Sequence, residues 1–484
     1  MQRKFVTNLA LVLFLNLLIK PFWILGIEVA VQNAVGTEQY GFYYAIFNFS
    51  FLLNILLDFG ITNFNNKNIS QNNHLLSKHL SSIILLRLIL AGIFAIITII
   101  GGVLIGYTTD MMKMLIAVIF NQVLLSFIMY LRSNLAGLHL FKTDSFVSVL
   151  DRLIMIILCG VLLYNYHISG SFDIRMFIYA QTAAYLITTI ITLVIVMKKA
   201  KIRKLYWRWP FFVMILKKSY PYAVLVLLMT FYTCINGVML ERLLPFRIGA
   251  HEAGIYASAY RLLDASNMIA FLFSGLLLPI FARMIKLHQN VEEMAKLAFS
   301  LLVIPAIIVA TCSYFFSYEI MDLLYKGNHI EESAAVFRIL MCCFIPISSS
   351  YIFGTLLTAN GNLRQLNSMA VIGMLINIML NFVLIPKYSA LGAAISSIST
   401  QLLTAFAQII MAQKAFEFRK NYRMIATIGA FIISVIVLNI LISYLQIHWV
   451  SRLILATATC FALAFIVRLI SIRNIYRIVK YDEE

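Results

Sequence analysis

The sequence predicts an all-α fold, a polytopic membrane protein of about fourteen transmembrane helices, and three observations carry that prediction. The 484 residues are 62% hydrophobic and only 12% charged, about half the charged share of an average soluble chain. Apolar runs of about 18 to 25 residues recur from end to end. That length crosses ~30 Å of hydrocarbon as helix, and the runs lack the short alternating pattern of a membrane β-barrel. The basic residues are also segregated. Sorted by the loops assigned below, roughly 26 lie on one side, about 7 on the other and about 5 within spans, the bias that sets orientation in a membrane. This asymmetry accounts for the net charge of +18, so nucleic acid is not expected as a partner.

Span one runs from Phe5 to Val31, too long for a signal-peptide core and interrupted by Lys20-Pro21. A polar hinge, Gly36 to Gln39, leads into span two, which ends near Gly60. Spans three (80–107) and four (111–135) bracket a tight turn at Thr108-Thr109-Asp110. Spans five (145–166) and six (174–197) follow. Residues 198–219 mix Lys and Arg with Trp207, Trp209, Phe211 and Phe212, the composition of a connector lying in the headgroup layer. Spans seven (220–243) and eight (254–281) flank a second hinge. Spans nine (297–316) and ten (334–359) enclose the longest outer segment, 317–333. Spans eleven (369–385) and twelve (390–411) are separated at Pro386-Lys387-Tyr388, because proline removes a helical donor. Spans thirteen (424–445) and fourteen (449–470) end in a basic tail. Both termini are expected in the cytoplasm.

The two hinges belong to one repeated pattern. VGTEQYGFYY near the start and IGAHEAGIYASAY in the middle align at a single offset, Gly36 with Gly249, Gly41 with Gly254, and Tyr43 with Tyr256, which indicates an internal duplication. The hinges precede spans two and eight, six spans apart, so the halves share one orientation, as in a parallel-repeat transporter. The expected organisation is an N-lobe (1–197, spans one to six), a basic connector (198–219), a C-lobe (220–415, spans seven to twelve) and spans thirteen and fourteen with the tail (416–484).

These segments resemble a known family. The hinge leading to LLDFGI, its counterpart GIYASAYRL, LLYKG after span nine, and TLLTANGN followed by NIMLNFVLIPKYSALGAAISS occur in the order seen in Wzx-type polysaccharide flippases. These form the polysaccharide transporter branch of the MOP exporter superfamily. The resemblance implies a transporter that flips undecaprenyl-diphosphate-linked oligosaccharide (an O-antigen, capsule or exopolysaccharide repeat unit). Flipping would run from the inner to the outer leaflet of the bacterial cytoplasmic membrane by alternating access. Its partners would be that cargo, membrane lipid, and a polysaccharide polymerase with its chain-length machinery. Two other superfamily activities stand as alternatives: multidrug export by cation antiport, and flipping of a peptidoglycan precursor.

Each ionisable side chain inside the bilayer carries an insertion cost of about 2.5–3.5 kcal/mol and requires an explanation. Lys20 lies mid-span beside Pro21, where a cation can hold a diphosphate or pair with a neighbouring carboxylate. Arg261 and Asp264, three apart on span eight, share a helix face; a guanidinium there can grip phosphate bidentately, held by Asp264, or the two simply neutralise each other. Arg87 and the pair Asp151-Arg152 lie about two turns from the basic ends of spans three and five. There they serve either the same cationic cavity or snorkelling to the headgroups. Asp58 closes span two as a helix-packing or coupling carboxylate. Glu28, Glu241 and Arg242, near the outer boundary, form a gate or meet water. Gly36, Gly41, Gly249 and Gly254 are the expected hinges. Asn377 and Asn381 share a face of span eleven and suit interhelical hydrogen bonding or sugar contact.

Enzyme signatures are missing. The six cysteines make no C-x-x-C pair, and neither H-E-x-x-H nor a Walker motif occurs, so no metal, cofactor or catalytic residue is expected. A membrane glycan polymerase or ligase, the reading from another class, predicts a large outer catalytic loop. Segment 317–333 holds no clustered acid and base set.

Overall fold

A computed structural model describes residues 14–16, 18–19, 21–62, 65, 69, 75–138, 140–169, 172–199, 209–325, 329–418 and 422–469. All regular structure among the described residues is helical: α1 (Trp23–Val35), α2 (Thr37–Leu52), α3 (Ile55–Asp58), α4 (Leu75–Ile105), α5 (Thr109–Gly137), α6 (Phe141–Ser169), α7 (Ile174–Lys199), α8 (Trp209–Leu243), α9 (Phe246–Lys286), α10 (Glu292–Phe315), α11 (Ser317–Leu324), α12 (Ile330–Cys342), α13 (Phe344–Ala359), α14 (Leu363–Phe416), α15 (Tyr422–Ser443) and α16 (Trp449–Ile466). Nine helices among the described residues are long and apolar enough to cross a membrane. The fourteen expected spans each fall, at least in part, on a described helix.

The breaks follow local chemistry. Gly36 separates α1 from α2 at φ +84°, a left-handed conformation that glycine adopts without penalty. The first turns of α1, Trp23–Glu28, are π-helical, a register shift that concentrates at functional sites. Inside α14, Ser389 has φ 51° and ψ −131°, three residues after the predicted proline break. The two halves fold against each other there: Asn377 donates to Ser396 Oγ at 3.2 Å, and Ser396 donates to the Asn377 carbonyl at 3.1 Å. Asn377 therefore joins these helices by hydrogen bonds, and Asn381 donates to Asn377 Oδ1 at 3.1 Å.

The chain forms two compact units, Met1–Ala257 and Ser258–Glu484. The division falls within α9 and not in the connector, because α8 packs along α2 and so joins the first unit. The described part of the connector, 209–219, is the opening of α8. Phe212 and Ile215 are buried there, in one cluster with Tyr130, Leu131 and Leu135. Those two side chains pack into protein, where the sequence placed a headgroup-layer segment. In the second unit α15 and α16, which lie outside the duplication, pack on α10. Thr457 Oγ1 of α16 lies 3.8 Å from Cys312 Sγ of α10, and between α15 and α16 Asn439 Nδ2 lies 3.7 Å from Cys460 Sγ.

Candidate functional site

The two hinges predicted from the repeat meet in the first unit. Gly41 on α2 lies against the backbone of α9 at Ala250 and Gly254, and Gly254 lies against the Thr37 carbonyl of α2. The equivalent glycines of the two repeats thus let two helix backbones touch, which any Cβ would prevent. Gln32 on α1 donates to the Gly254 carbonyl at 3.1 Å, and Phe42 packs on Phe246 with centroids 5.1 Å apart. Gly249 faces the Glu241 carbonyl, which would lie 2.6 Å from an added Cβ. The equivalent tyrosines tie each hinge helix to a neighbour. Gln181 on α7 donates to the Tyr43 hydroxyl at 2.9 Å, and Asn236 on α8 donates to the Tyr256 hydroxyl at 3.0 Å.

Beside this contact lies a buried ion pair. Glu241 is 2% exposed, and its carboxylate lies 2.6 Å from Arg242 Nε. Arg242 donates to the Ile105 carbonyl at 2.9 Å and stacks over Tyr107 at 4.4 Å, while Tyr107 meets Phe49 of α2 edge-on. Of the two options set out for Glu241 and Arg242, contact with water does not fit Glu241. The pair fastens the ends of α4 and α8 to the hinge. Glu28, grouped with them from the sequence, is likewise buried but belongs to a different cluster.

That cluster is centred on Arg152. Helix α6 begins at Phe141, four residues before the expected start of span five. Arg152 therefore sits about 16 Å along the helix at 1.5 Å per residue. Its guanidinium lies over the Trp23 ring at 5.5 Å and 3.5 Å from Asp151 Oδ2, and Tyr185 of α7 lies within its electrostatic reach. Glu28 and Tyr43 lie within its electrostatic reach. Trp23 is stacked on Phe177, which fixes the ring that faces the cation. The structure thus brings together Glu28, Asp151 and Arg152, and adds Trp23, Tyr43, Gln181 and Tyr185. The roles of Trp23, Gln181 and Tyr185 were missed from the sequence, although Gln181 and Tyr185 stand four apart on one face of an apolar span.

Arg87 sits in a separate cluster. It pairs with Asp58 and donates to Thr62 Oγ1 at 2.7 Å, to the Ser126 carbonyl at 2.8 Å and to Ser126 Oγ at 3.0 Å. Tyr130 lies beneath the guanidinium at 4.8 Å. Asp58 also accepts from the Thr62 amide at 3.1 Å, next to the left-handed residues Phe59 and Gly60. This network secures the break between α3 and the following segment against α4 and α5. In the second unit Arg261 and Asp264 are half-buried on α9, and Asp264 lies within electrostatic reach of Tyr351. Lys20 lies outside the described residues.

Comparison with known proteins bears on the whole chain. The model of a family described as "Polysaccharide biosynthesis protein" matches residues 6–285, more than half of the sequence. The chain belongs to the polysaccharide biosynthesis protein family. A relative, the capsular polysaccharide biosynthesis protein CapF of Staphylococcus aureus, is 26% identical over 188 residues. That match covers 38% of this chain and 46% of CapF, so the chain matches under half of that relative's length. Among solved structures, the lipid II flippase MurJ in an inward closed conformation superposes with a TM-score of 0.75 at 14% identity, over 95% of this chain and 98% of that one. An inward-facing multidrug resistance MATE family transporter of the MOP superfamily superposes at 0.61 and 12% identity, over 85% of this chain and 98% of that one. The family member described here therefore has the fold of MOP-superfamily transporters. It is a multi-pass membrane protein.

Proposed function

We propose that this protein carries undecaprenyl-diphosphate-linked oligosaccharide from the inner to the outer leaflet of the bacterial cytoplasmic membrane by alternating access. Family membership and fold support transport. The observation that carries the cargo assignment is Arg152. A guanidinium held among apolar helices by Trp23 and Asp151 offers planar, bidentate donors of the kind phosphate recognition uses. It would offset the desolvation of a diphosphate that bare hydrocarbon cannot hydrate, while the polyprenyl tail stays in lipid. Lys20 and Arg261 keep the phosphate-holding roles expected from the sequence, with Asp264 orienting Arg261. Arg87 is assigned to structure, because its guanidinium is already engaged by Asp58, Thr62 and Ser126.

The hinge contact supplies the moving part. With the basic loops and both termini in the cytoplasm, Gly41, Gly254 and the Glu241–Arg242 pair lie at the outer end. Separation of α2 from α9 there opens the outward path. Outward movement of an anion from a negative interior gains about 2.3 kcal/mol per charge per 100 mV.

The test is a mass-spectrometric inventory of lipid-linked sugars in a deletion strain, complemented with wild type or Arg152→Ala. The expected result is build-up of one lipid-linked repeat unit and loss of surface glycan, corrected by wild type alone. Build-up of the peptidoglycan precursor assigns that cargo instead. Sensitivity to cationic toxins with a normal inventory assigns drug export. Single repeat units still reaching the outer face assign polymerisation.

A further inference from the structure

The first turns of α5 and α7 enclose a small cleft that neither the hinge contact nor the arginine clusters use. Lys113, Met114 and Ala117 of α5 line one wall, and Arg175, Ile178 and Tyr179 of α7 the other. Each trio follows the helical repeat, so it forms one face of its helix. The gap has a local cause. Ala117 offers only a methyl group between the two helices, and one turn deeper Asn121 fastens them together. Its Nδ2 donates to the Ile178 carbonyl at 3.2 Å, and Thr182 donates to its Oδ1 at 2.7 Å.

The mouth of the cleft carries two cations and two carboxylates. Lys113 Nζ lies 3.6 Å and an Arg175 terminal nitrogen 3.3 Å from the same Asp110 oxygen, and Arg175 Nε lies 3.8 Å from Asp173. Asp173 is held in place by accepting from the Arg175 amide at 3.2 Å. Each of these side chains keeps about half or more of its surface exposed. Ion pairs so open to solvent hold weakly, so all four charges can be exchanged for those of a ligand. Below the rim Ile116, Met176 and Tyr179 are exposed on helices apolar enough to cross a membrane. Tyrosine in that position marks the boundary between headgroups and hydrocarbon.

A charged rim above an apolar wall matches the order of groups in a phospholipid, and basic pockets between membrane helices hold lipid headgroups. A phosphodiester fits Lys113 and Arg175, whose guanidinium can take two oxygens. The carboxylates select the rest of the headgroup. A lipid with only negative charge would leave Asp110 and Asp173 facing an anion, whereas a primary ammonium gives both a donor. We propose that the cleft between α5 and α7 binds one zwitterionic aminophospholipid, of the phosphatidylethanolamine class. Its phosphodiester lies on Lys113 and Arg175, its ammonium on Asp110 and Asp173, and the start of an acyl chain over Ala117 beside Tyr179. With the basic loops in the cytoplasm, this lipid belongs to the outer leaflet. The site is independent of Arg152 and of the cargo assignment.

The experiment is native mass spectrometry of the purified full-length protein, titrated in detergent with one lipid at a time. The probes are phosphatidylethanolamine, phosphatidylglycerol and phosphatidylcholine with identical acyl chains; the choline nitrogen has no N–H to donate. The expected result is one phosphatidylethanolamine held about 10-fold or more tighter than either other lipid, the range set by a charge-assisted hydrogen bond. Lys113→Ala/Arg175→Ala should remove the tight site. Asp110→Asn/Asp173→Asn should erase the preference for ethanolamine over glycerol. Ala117→Phe, which fills the cleft and leaves every charge in place, should exclude the same lipid, and it decides the matter should a charge variant fail to fold. Equal binding of the three lipids, or preference for phosphatidylglycerol, overturns the proposal. So does tight binding that survives Lys113→Ala/Arg175→Ala or Ala117→Phe, or an ethanolamine preference that survives Asp110→Asn/Asp173→Asn.

Discussion

Adding one methyl group to Gly41 should shift the transporter toward its outward-open state. An ideal Cβ on Gly41 would lie 2.8 Å from both the Ala250 carbonyl carbon and the Gly254 nitrogen, and closer still to the Ala250 carbonyl oxygen. Ordinary carbon contacts begin at about 3.5 Å, so α2 and α9 must part by at least about 0.7 Å. The obstacles are backbone atoms, which cannot swing away as a side chain can. Overpacking of this kind costs about 1–3 kcal/mol. The penalty falls only on the state in which the two helices touch, so the equilibrium moves by roughly 5- to 150-fold toward the parted state. Gly254→Ala, which meets the Thr37 carbonyl and its Cγ2 at 2.8 Å, should act alike. The assay is pulsed electron resonance between spin labels at Glu38→Cys and Arg247→Cys, both exposed on the two hinge helices, with the six native cysteines replaced. Gly41→Ala should enlarge the long-distance population. Gly92→Ala and Gly160→Ala, where an added Cβ meets nothing within 4 Å, should leave it alone. A distance distribution unchanged by Gly41→Ala in folded protein refutes the reasoning.

Further outcomes follow from the clusters. Arg152→Ala should abolish surface glycan display at normal expression. Arg152→Lys should retain part of it, because a charge-assisted hydrogen bond contributes about 1.5–3 kcal/mol and ammonium cannot bind bidentately; display equal to wild type in both would remove Arg152 from the cargo path. Arg87→Ala should lower the midpoint of thermal unfolding in detergent, since breaking a buried pair costs about 3–5 kcal/mol. Arg87→Ala/Asp58→Asn should recover part of that loss by removing the stranded charge. A melting curve indifferent to both would show that Arg87 does not hold the α3–α4 break. Phe212→Ala should destabilise by about 3–5 kcal/mol through the cavity it leaves. A neutral effect would return 209–219 to the headgroup layer.

Much of the fold was legible because helix-length apolar runs and basic-loop asymmetry are read directly from the chain. The break near Pro386 was predicted to within three residues, and Asn377 and Asn381 were recognised as candidates for interhelical bonding. The glycines of the α2–α9 contact were visible through repetition. The site was less legible. Arg87, Arg152 and Arg261 look alike in sequence, each a guanidinium inside an apolar run. Yet Arg87 is engaged by Asp58 and Ser126, and Arg152 is poised over Trp23. Nothing in local spacing separates them, because their partners lie on other helices.

Composition and hydropathy by themselves determined that this chain is a helical, multi-pass membrane protein. The tertiary structure decided that Gly41 and Gly254 touch, that α8 joins the first unit, and that Trp23 and Asp151 meet at Arg152. The physical reason lies in the solvent. Lipid tails are as apolar as leucine, so a membrane helix shows similar side chains to lipid and to protein, and hydropathy cannot mark the face that meets a partner. Only packing in three dimensions shows which charge meets which.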